Sequence, residues 1–454
     1  KATSHFGSSC KPARAMGALV SLNWFCCNGD AELWDECARG RKSVILVHGL
    51  ASCALQTKVT PNAYHGCALP CSNAVGWDLT WLSIEEITTG AQRFRNVLEL
   101  RNCMGVQKDG TPVLSTRNLE GVSVRPYPGL AGIARLNPGE LIEVAVWLPL
   151  IEAMSPEYRL TPGSYDWRRW GDVVYMEECV EALRVKVEQE HRVTGRPVSI
   201  FGHSMGTSLV IYVLSALGAE WTREHVSELV LVAPAVMGSP KQVSAYAHNP
   251  ASTILGLPNG MSLPAPIEDF LRRCMDTAPS MASLLPMRVG GVSCFPAGHV
   301  FVKTPNRSYT IDDIGHYVQD LQQRLPAGRV PTAKFWPLIQ KEFHKIEAPA
   351  VPTHIFYGSE HATVSQVTFR SDDLLATPEV SATAPGDQTV TAASVEALAA
   401  SWAKQGRAPV HLHMGPRNKD CHEHLGMIKS EWFCRHAMAV IEPGPPACNG
   451  HCAH

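Results

Sequence analysis

A serine hydroxyl attacks an ester only when a base takes its proton and donors receive the charge growing on the carbonyl oxygen. The segment Gly202-His203-Ser204-Met205-Gly206 fits G-x-S-x-G. Its flanks are the ones that chemistry requires. An apolar run, Arg196–Phe201, precedes it, and a small-residue apolar run, Thr207–Leu217, follows it. The glycines relieve crowding in a tight strand-to-helix turn that strains the serine backbone. Such a turn lifts the hydroxyl above the strand end, at a helix N-terminus, and aims the Met205 N–H at a developing oxyanion. A second donor has to come from an earlier strand end. Ser43–Val47 is a β-branched apolar run that meets His48-Gly49-Leu50. Gly49 lets backbone approach a substrate there, and the N–H of Leu50 is the expected donor. The bland alternatives are a chance pentapeptide and an ordinary His-Gly turn.

The acid and base are expected downstream, in the order Ser, Asp or Glu, His. Gly386-Asp387-Gln388-Thr389-Val390 reads as a turn before a helix start, which places Asp387 to orient an imidazole. Cys421-His422-Glu423-His424 is a polar loop before Leu425-Gly426-Met427-Ile428. His424 directly precedes an apolar helix start, a position that projects over the sheet edge, and is the expected base. His422 is its rival, and Asp372 and Asp373 are rivals for the acid. Candidate metal ligands are His411, His413, His422 and His424 and the tail residues Cys448, His451, Cys452 and His454. No spacing among them matches a known zinc pattern, so neither metal nor cofactor is expected.

These residues need a scaffold. Short apolar runs at 43–47, 196–201, 229–233, 351–358 and 409–413 read as strands, and 139–154, Val180–Val193, Thr207–Leu217, Ile311–Leu325 and Ala392–Trp402 as helices. That alternation predicts an α/β fold, a mostly parallel central sheet with helices on both faces. Residues 60–130 look irregular and 238–264 loop-like, the latter broken by Pro240, Asn249-Pro250 and Pro258-Asn259-Gly260. The expected organisation is an extension over 1–42, one large domain over 43–440, and a mobile tail over 441–454.

The bulk numbers exclude several classes. Of 454 residues, 40 are Lys or Arg and 42 Asp or Glu, giving net charge −2. A nucleic-acid binder would show a basic excess. At 45% hydrophobic the chain is too apolar to be disordered. No stretch reaches the roughly 18 uncharged apolar residues of a membrane span. Fifteen cysteines, an odd number, include no CxxC pair. They favour an oxidising compartment. Asn306-Arg307-Ser308 is the one N-x-[ST] triplet, so Asn306 is a glycosylation candidate.

Several segments together resemble the lecithin:cholesterol acyltransferase-like lipases, which include lysosomal phospholipase A2 and phospholipid:diacylglycerol acyltransferase. They are Gly202–Gly206, Ser164-Tyr165-Asp166-Trp167-Arg168, His299–Pro305, Gly386–Val390, Trp77–Leu82, Ala233-Pro234, Tyr357-Gly358 and His424–Met427. The resemblance runs from about residue 43 to about residue 440. It implies an α/β-hydrolase fold with cap or lid and membrane-binding insertions. It implies Ser204 as nucleophile, Asp387 as acid, His424 as base, and Leu50 and Met205 as oxyanion donors. It also implies a membrane-binding insertion over 60–105 with Trp77 and Trp81 in lipid contact, a lid over 238–264, and a disulfide from Cys103 to Cys67 or Cys71. Asp166 and Arg168 would form a salt-bridged turn. Two departures stand out: His48 where these enzymes usually have Pro, and Gln388 where they have Asp or Gly.

The expected function is a serine lipase or acyltransferase. It would cleave a phospholipid acyl ester through an acyl-serine, release lysophospholipid, and pass the acyl group to water or to a lipid alcohol such as a sterol. The alternatives are a soluble carboxylesterase for small esters and a non-catalytic lipid-binding protein. The expected partner is a phospholipid membrane or lipoprotein-like surface, not nucleic acid. The expected place is the secretory lumen, outside the cell or in a lysosome- or vacuole-like compartment, peripheral on membranes.

Overall fold

The five apolar runs read as strands all enter one sheet, joined by a sixth strand, Arg159–Pro162. The computed structural model describes residues 41–60, 76–83, 97–140, 143–247, 265–324, 332–417 and 420–441. Nearly all of the 1–42 extension and the 441–454 tail lie outside these residues. So do Cys67, Cys71 and the 248–264 part of the expected lid.

Across the sheet the order is Val410–Met414, Thr353–Tyr357, Val226–Val232, Val198–His203, Ser43–Val47, Arg159–Pro162. Every neighbouring pair is parallel. Ser43–Val47 and Val198–His203 are buried at every position. Because successive strand side chains point to opposite faces, continuous burial means that both faces are covered. This is why these strands read as unbroken apolar runs rather than as alternating patterns. Helices Val173–Thr194 and Met205–Leu217 pack on the two central strands, and Ala392–Gln405 packs on the outer pair. Asp172 caps Val173–Thr194 by accepting the N–H groups of Val174 and Tyr175, and Gly195, at φ 68°, ends it. From Ser43–Val47 the chain adds Arg159–Pro162 on one side and every later strand on the other. The crevice at such a reversal, beyond the strand C-termini, is where open α/β sheets bind ligands. The topology is that of an α/β-hydrolase.

The structure corrects several expectations. The described residues within 60–130 are not irregular. Leu55–Val59, Asp78–Trp81 and Val122–Pro126 form an antiparallel three-stranded sheet, and Leu100–Val106 pairs with Pro112–Asn118 as a hairpin. These strands carry Arg101, Asn102, Gly105 and Arg117, so neither alternation nor an apolar run marks them. The helix expected over 139–154 spans only Leu148–Met154. The described part of 238–264 contains the helix Pro240–Ala247, in which Pro240 opens rather than breaks the element.

Trp81 is also corrected as a lipid-contact residue. It is fully buried, its indole N–H donates to Ala51 O at 2.9 Å, and its ring meets Trp167 edge-on at 5.0 Å. Burying so large a ring within the protein is worth more than leaving it at the surface. Trp77 is half-buried, with the Arg125 guanidinium 4.1 Å above its ring. Cys103 makes no disulfide with another described residue.

The Tyr165-Asp166-Trp167-Arg168 segment follows Arg159–Pro162 and sits under this crevice. Arg168 is fully buried. Its guanidinium holds Asp166 Oδ2 at 2.6 Å and Oδ1 at 2.9 Å, Leu98 O at 2.9 Å and Asn118 Oδ1 at 2.9 Å. Each partner lies on a different stretch of chain, so one side chain ties the hairpin to the core. Arg168→Ala would strand the Asp166 carboxylate without its counter-charge. The expected loss of stability is roughly 3–5 kcal/mol, to be read from denaturant unfolding. A loss below about 1 kcal/mol, the scale of an exposed pair, would show that the network holds nothing together.

Candidate active site

Val198–His203 ends at Ser204, and Met205–Leu217 begins one residue later. The turn forces Ser204 to φ 52° and ψ −123°, a left-handed backbone that only surrounding structure can hold on a non-glycine residue. The Ser204 N–H donates to Val232 O at 2.9 Å, and its carbonyl accepts from Thr207 N–H at 3.0 Å. A Cβ on Gly206 would collide with the His48 carbonyl and stand 2.6 Å from Val47 O. The same would befall Gly49, whose Cβ would lie 2.9 Å from Ser204 Cβ. The two strand ends are packed backbone to backbone, and only glycine leaves room. Met205 opens its helix, so its N–H has no helical carbonyl to meet. Leu50 lines the cleft beside Ser204 and His424.

His424 Nε2 lies 2.8 Å from Ser204 Oγ, and its Nδ1 lies 2.8 Å from Asp387 Oδ2. Asp387 is buried, 2% exposed, and its Oδ1 accepts the N–H groups of Thr389 at 2.9 Å and Val390 at 2.6 Å. Its carbonyl accepts the His424 N–H at 3.1 Å. A carboxylate held this way orients the imidazole and favours its Nδ1–H tautomer, leaving Nε2 free to take the serine proton.

The acid does not follow its sheet strand directly. After Thr353–Tyr357 the chain makes a hairpin, His361–Thr368 with Glu379–Gly386, which pairs Gly386 with His361 and so returns Asp387 to the strand end. Asp372 and Asp373 lie at the far end of that hairpin. Asp372 accepts from Thr304 Oγ1, the Asn306 N–H and the Asn306 side chain, and Asp373 accepts from Leu375 N–H. Asn306 is exposed. His422, the rival base, is fully buried and points away from Ser204. Its Nδ1 accepts from Ser359 N–H at 3.1 Å, and its Nε2–H donates to Pro416 O at 3.0 Å. It latches the loop that carries His424. Gly358 permits the approach, since a Cβ there would run into the His422 carbonyl.

Three contributors escaped the sequence reading. His203, the variable residue of the motif, donates from Nε2 to His424 O at 2.9 Å. Burial, then the nearby His424, lowers its pKa to about 3, so the ring stays neutral. Lys241 and Gln242, on the helix read as loop, line the cleft with Ser204 and Asp387. Burial lowers the Lys241 pKa, and the Asp387 carboxylate opposes that shift. Gln242 donates to Met281 O at 3.1 Å. Their only sequence signal was Pro240 as a helix opener. The cleft is completed by residues including Leu284, Thr389 and Leu425. Among the described residues no group of three or more His, Cys, Asp or Glu is arranged to hold a metal ion. His354, His411 and His413 stack on the outer strands instead, with ring centroids 4.8 and 5.3 Å from that of His354.

The parallel sheet, the strained elbow and the Ser–His–Asp geometry are those of the α/β-hydrolase fold. The family model for lecithin:cholesterol acyltransferase matches residues 80–330. That is 251 of 454 residues, about 55% of the chain. The chain belongs to the lecithin:cholesterol acyltransferase family. It is 27% identical over 287 residues to phosphatidylcholine-sterol acyltransferase of Homo sapiens, covering 62% of this chain and 59% of that protein. It is 27% identical over 210 residues to lysosomal phospholipase A and acyltransferase of Bos taurus, covering 46% of each. To the phospholipid:diacylglycerol acyltransferase of Saccharomyces cerevisiae it is 29% identical over 98 residues, 19% of this chain and 15% of that one. The chain thus spans less than two thirds of the length of these relatives. A chain in the crystal structure of the Tle4–Tli4 complex aligns at 14% identity and TM-score 0.48, covering 88% of this chain and 98% of that one.

Proposed function

We propose that this protein is a phospholipase A and acyltransferase that works through an acyl-serine. His424 Nε2 takes the Ser204 proton while Oγ attacks the carbonyl carbon of a phospholipid acyl ester. Asp387 holds the tautomer and stabilises the imidazolium. The N–H groups of Leu50 and Met205 receive the oxyanion. As the intermediate collapses, the C–O bond to glycerol breaks, His424 returns the proton to that oxygen, and lysophospholipid leaves. Water or a lipid alcohol, a sterol among the possibilities, then gives its proton to His424 and takes the acyl group. One intermediate serves both outcomes, and pocket shape and water access select between them. The observation that carries the reading is the unbroken chain Ser204–His424–Asp387 at 2.8 Å and 2.8 Å in a member of this family.

Lipid as substrate is supported by the relatives' names, which specify phosphatidylcholine, sterol, phospholipid and diacylglycerol. We assign the 60–105 insertion, with Trp77 as its described candidate contact, to the lipid surface, since Trp favours the headgroup region. We assign the helix Pro240–Ala247 to the cap over the cleft. No described helix is long and apolar enough to cross a membrane. A peripheral enzyme of the secretory lumen, secreted or lysosome-like, fits that fact and the relatives.

The test is product analysis on phosphatidylcholine vesicles with and without cholesterol. Free fatty acid and lysophospholipid are expected from both, with steryl ester added when sterol is present. Turnover is expected to rise with vesicle surface. Cleavage of small soluble esters indifferent to the interface would replace this reading with a carboxylesterase. No products, and no labelling by a serine-directed fluorophosphonate, would leave a lipid-binding protein.

A further inference from the structure

The catalytic proposal needs the Leu50 N–H aimed at the substrate, and a peptide between a glycine and a surface loop can turn over readily. Something must hold it, and His48 is placed to do so. His48 is fully buried. Its Nδ1 lies 2.8 Å from Gly49 O. Nε2 lies 3.2 Å from Tyr165 O and 3.3 Å from Tyr165 N, so two carbonyls, which only accept, compete for one ring proton. The shorter contact, to Gly49 O, is the stronger claim, and Nε2 then accepts the Tyr165 N–H. The ring stacks flat on the Tyr165 side chain, with centroids 4.3 Å apart and planes at 11°, and the Tyr165 hydroxyl donates to His48 O at 3.0 Å. Burial drives the His48 pKa down to about 4, so the ring is neutral at ordinary pH and carries a single proton.

A peptide unit is planar and trans, so the carbonyl of residue 49 and the N–H of residue 50 point in opposite directions. The Gly49 carbonyl is anchored twice, on His48 Nδ1–H and on the Ser52 N–H at 3.3 Å. Anchoring it fixes the Leu50 N–H on the other side. The reversed peptide would present a carbonyl to the oxyanion and repel it.

We propose that His48 is a positioning residue that locks the Gly49–Leu50 peptide in its oxyanion-binding orientation and is itself braced by Tyr165. This gives the Ser164–Arg168 segment a task beyond stability: Arg168 and Asp166 hold Tyr165 in place, Tyr165 holds His48, and His48 holds the donor. The inference rests on the serine-esterase reading above.

The test compares His48→Phe with the wild type on a soluble oxoester and its thionoester, in which sulfur replaces the carbonyl oxygen. His48→Phe keeps the stacked ring and removes the Nδ1 donor. Losing an oxyanion donor outright costs about 10²–10³ in kcat, so a donor left free to turn should cost about 10- to 100-fold, with KM within a few-fold of wild type. The oxoester-to-thionoester rate ratio should shrink, because sulfur profits less from the donor. A purely structural role would not move that ratio. His48→Asn, whose amide can donate near the Nδ1 position, should restore much of both. Should His48→Phe not fold, as judged by its melting, His48→Gln carries the same comparison. The inference is overturned if a folded His48→Phe or His48→Gln keeps wild-type kcat and an unchanged ratio. If the wild type cleaves neither these esters nor phosphatidylcholine vesicles, the serine-esterase reading falls and this inference with it. That outcome is distinct from failure in the variants alone.

Discussion

Ser204→Ala is expected to lower kcat for ester cleavage by about 10⁶, the scale seen when a triad serine is removed. The methyl group leaves the backbone at φ 52° as it was, because alanine meets the same strain there as serine. The fold should therefore melt as the wild type does, and the loss should lie in kcat. The oxyanion donors and the cleft would persist, so a residual rate of about 10³ over the uncatalysed reaction should remain. Fluorophosphonate labelling should vanish, since no other described hydroxyl carries the His424 contact. Turnover above about 1% of wild type in this variant, a loss far short of that scale, would remove Ser204 from the mechanism.

Asp387→Asn is expected to cost about 10⁴ in kcat without unfolding the protein. The asparagine oxygen can still accept from the Thr389 and Val390 N–H groups, as Asp387 Oδ1 does now. Its amide N–H₂ then faces His424 Nδ1, at the place where Oδ2 accepts at 2.8 Å. A donor there requires Nδ1 to be bare and moves the ring proton to Nε2. That nitrogen can then no longer accept from Ser204, 2.8 Å away. The defect is one of tautomer rather than of position, so melting should barely change and KM should hold. Asp372→Asn serves as the control. Its carboxylate bonds to Thr304 and Asn306, and turnover should be unaffected. An Asp387→Asn enzyme within tenfold of wild type would mean that another group orients the base.

How much of this was legible without coordinates depends on how local the signal is. Buried parallel strands advertise themselves because both faces demand apolar residues. Ser43–Val47 and Val198–His203 read clearly for that reason. The hairpin Leu100–Val106/Pro112–Asn118 did not, because hydrogen bonding between strands, not composition, defines it. Trp81 and Trp77 look alike in the sequence, yet one is sealed in the core and the other is half-open under Arg125. Nothing within four residues of either separates them. His422 and His424 are two positions apart in one loop, and only the neighbours supplied by Ser359, Pro416, Asp387 and Ser204 assign one to latch the loop and the other to meet the serine.

The sequence alone therefore determined the fold class, the elbow and the order of the three reacting groups. Each depends on residue types over short spans: β-branched runs, glycines at a cramped turn, a serine before a small-residue helix. The sequence named Asp387 and His424 but left Asp372, Asp373 and His422 as rivals, and only the tertiary structure brings His424 to Ser204 and Asp387 to His424. Asp387 arrives by way of a hairpin 29 residues beyond Gly358, and His424 by a loop pinned through its neighbour. It alone also showed that His48 grips the Gly49 carbonyl. Hydrogen bonds between positions as far apart as 48 and 165, or 204 and 424, obey distance in space, and no local pattern records it.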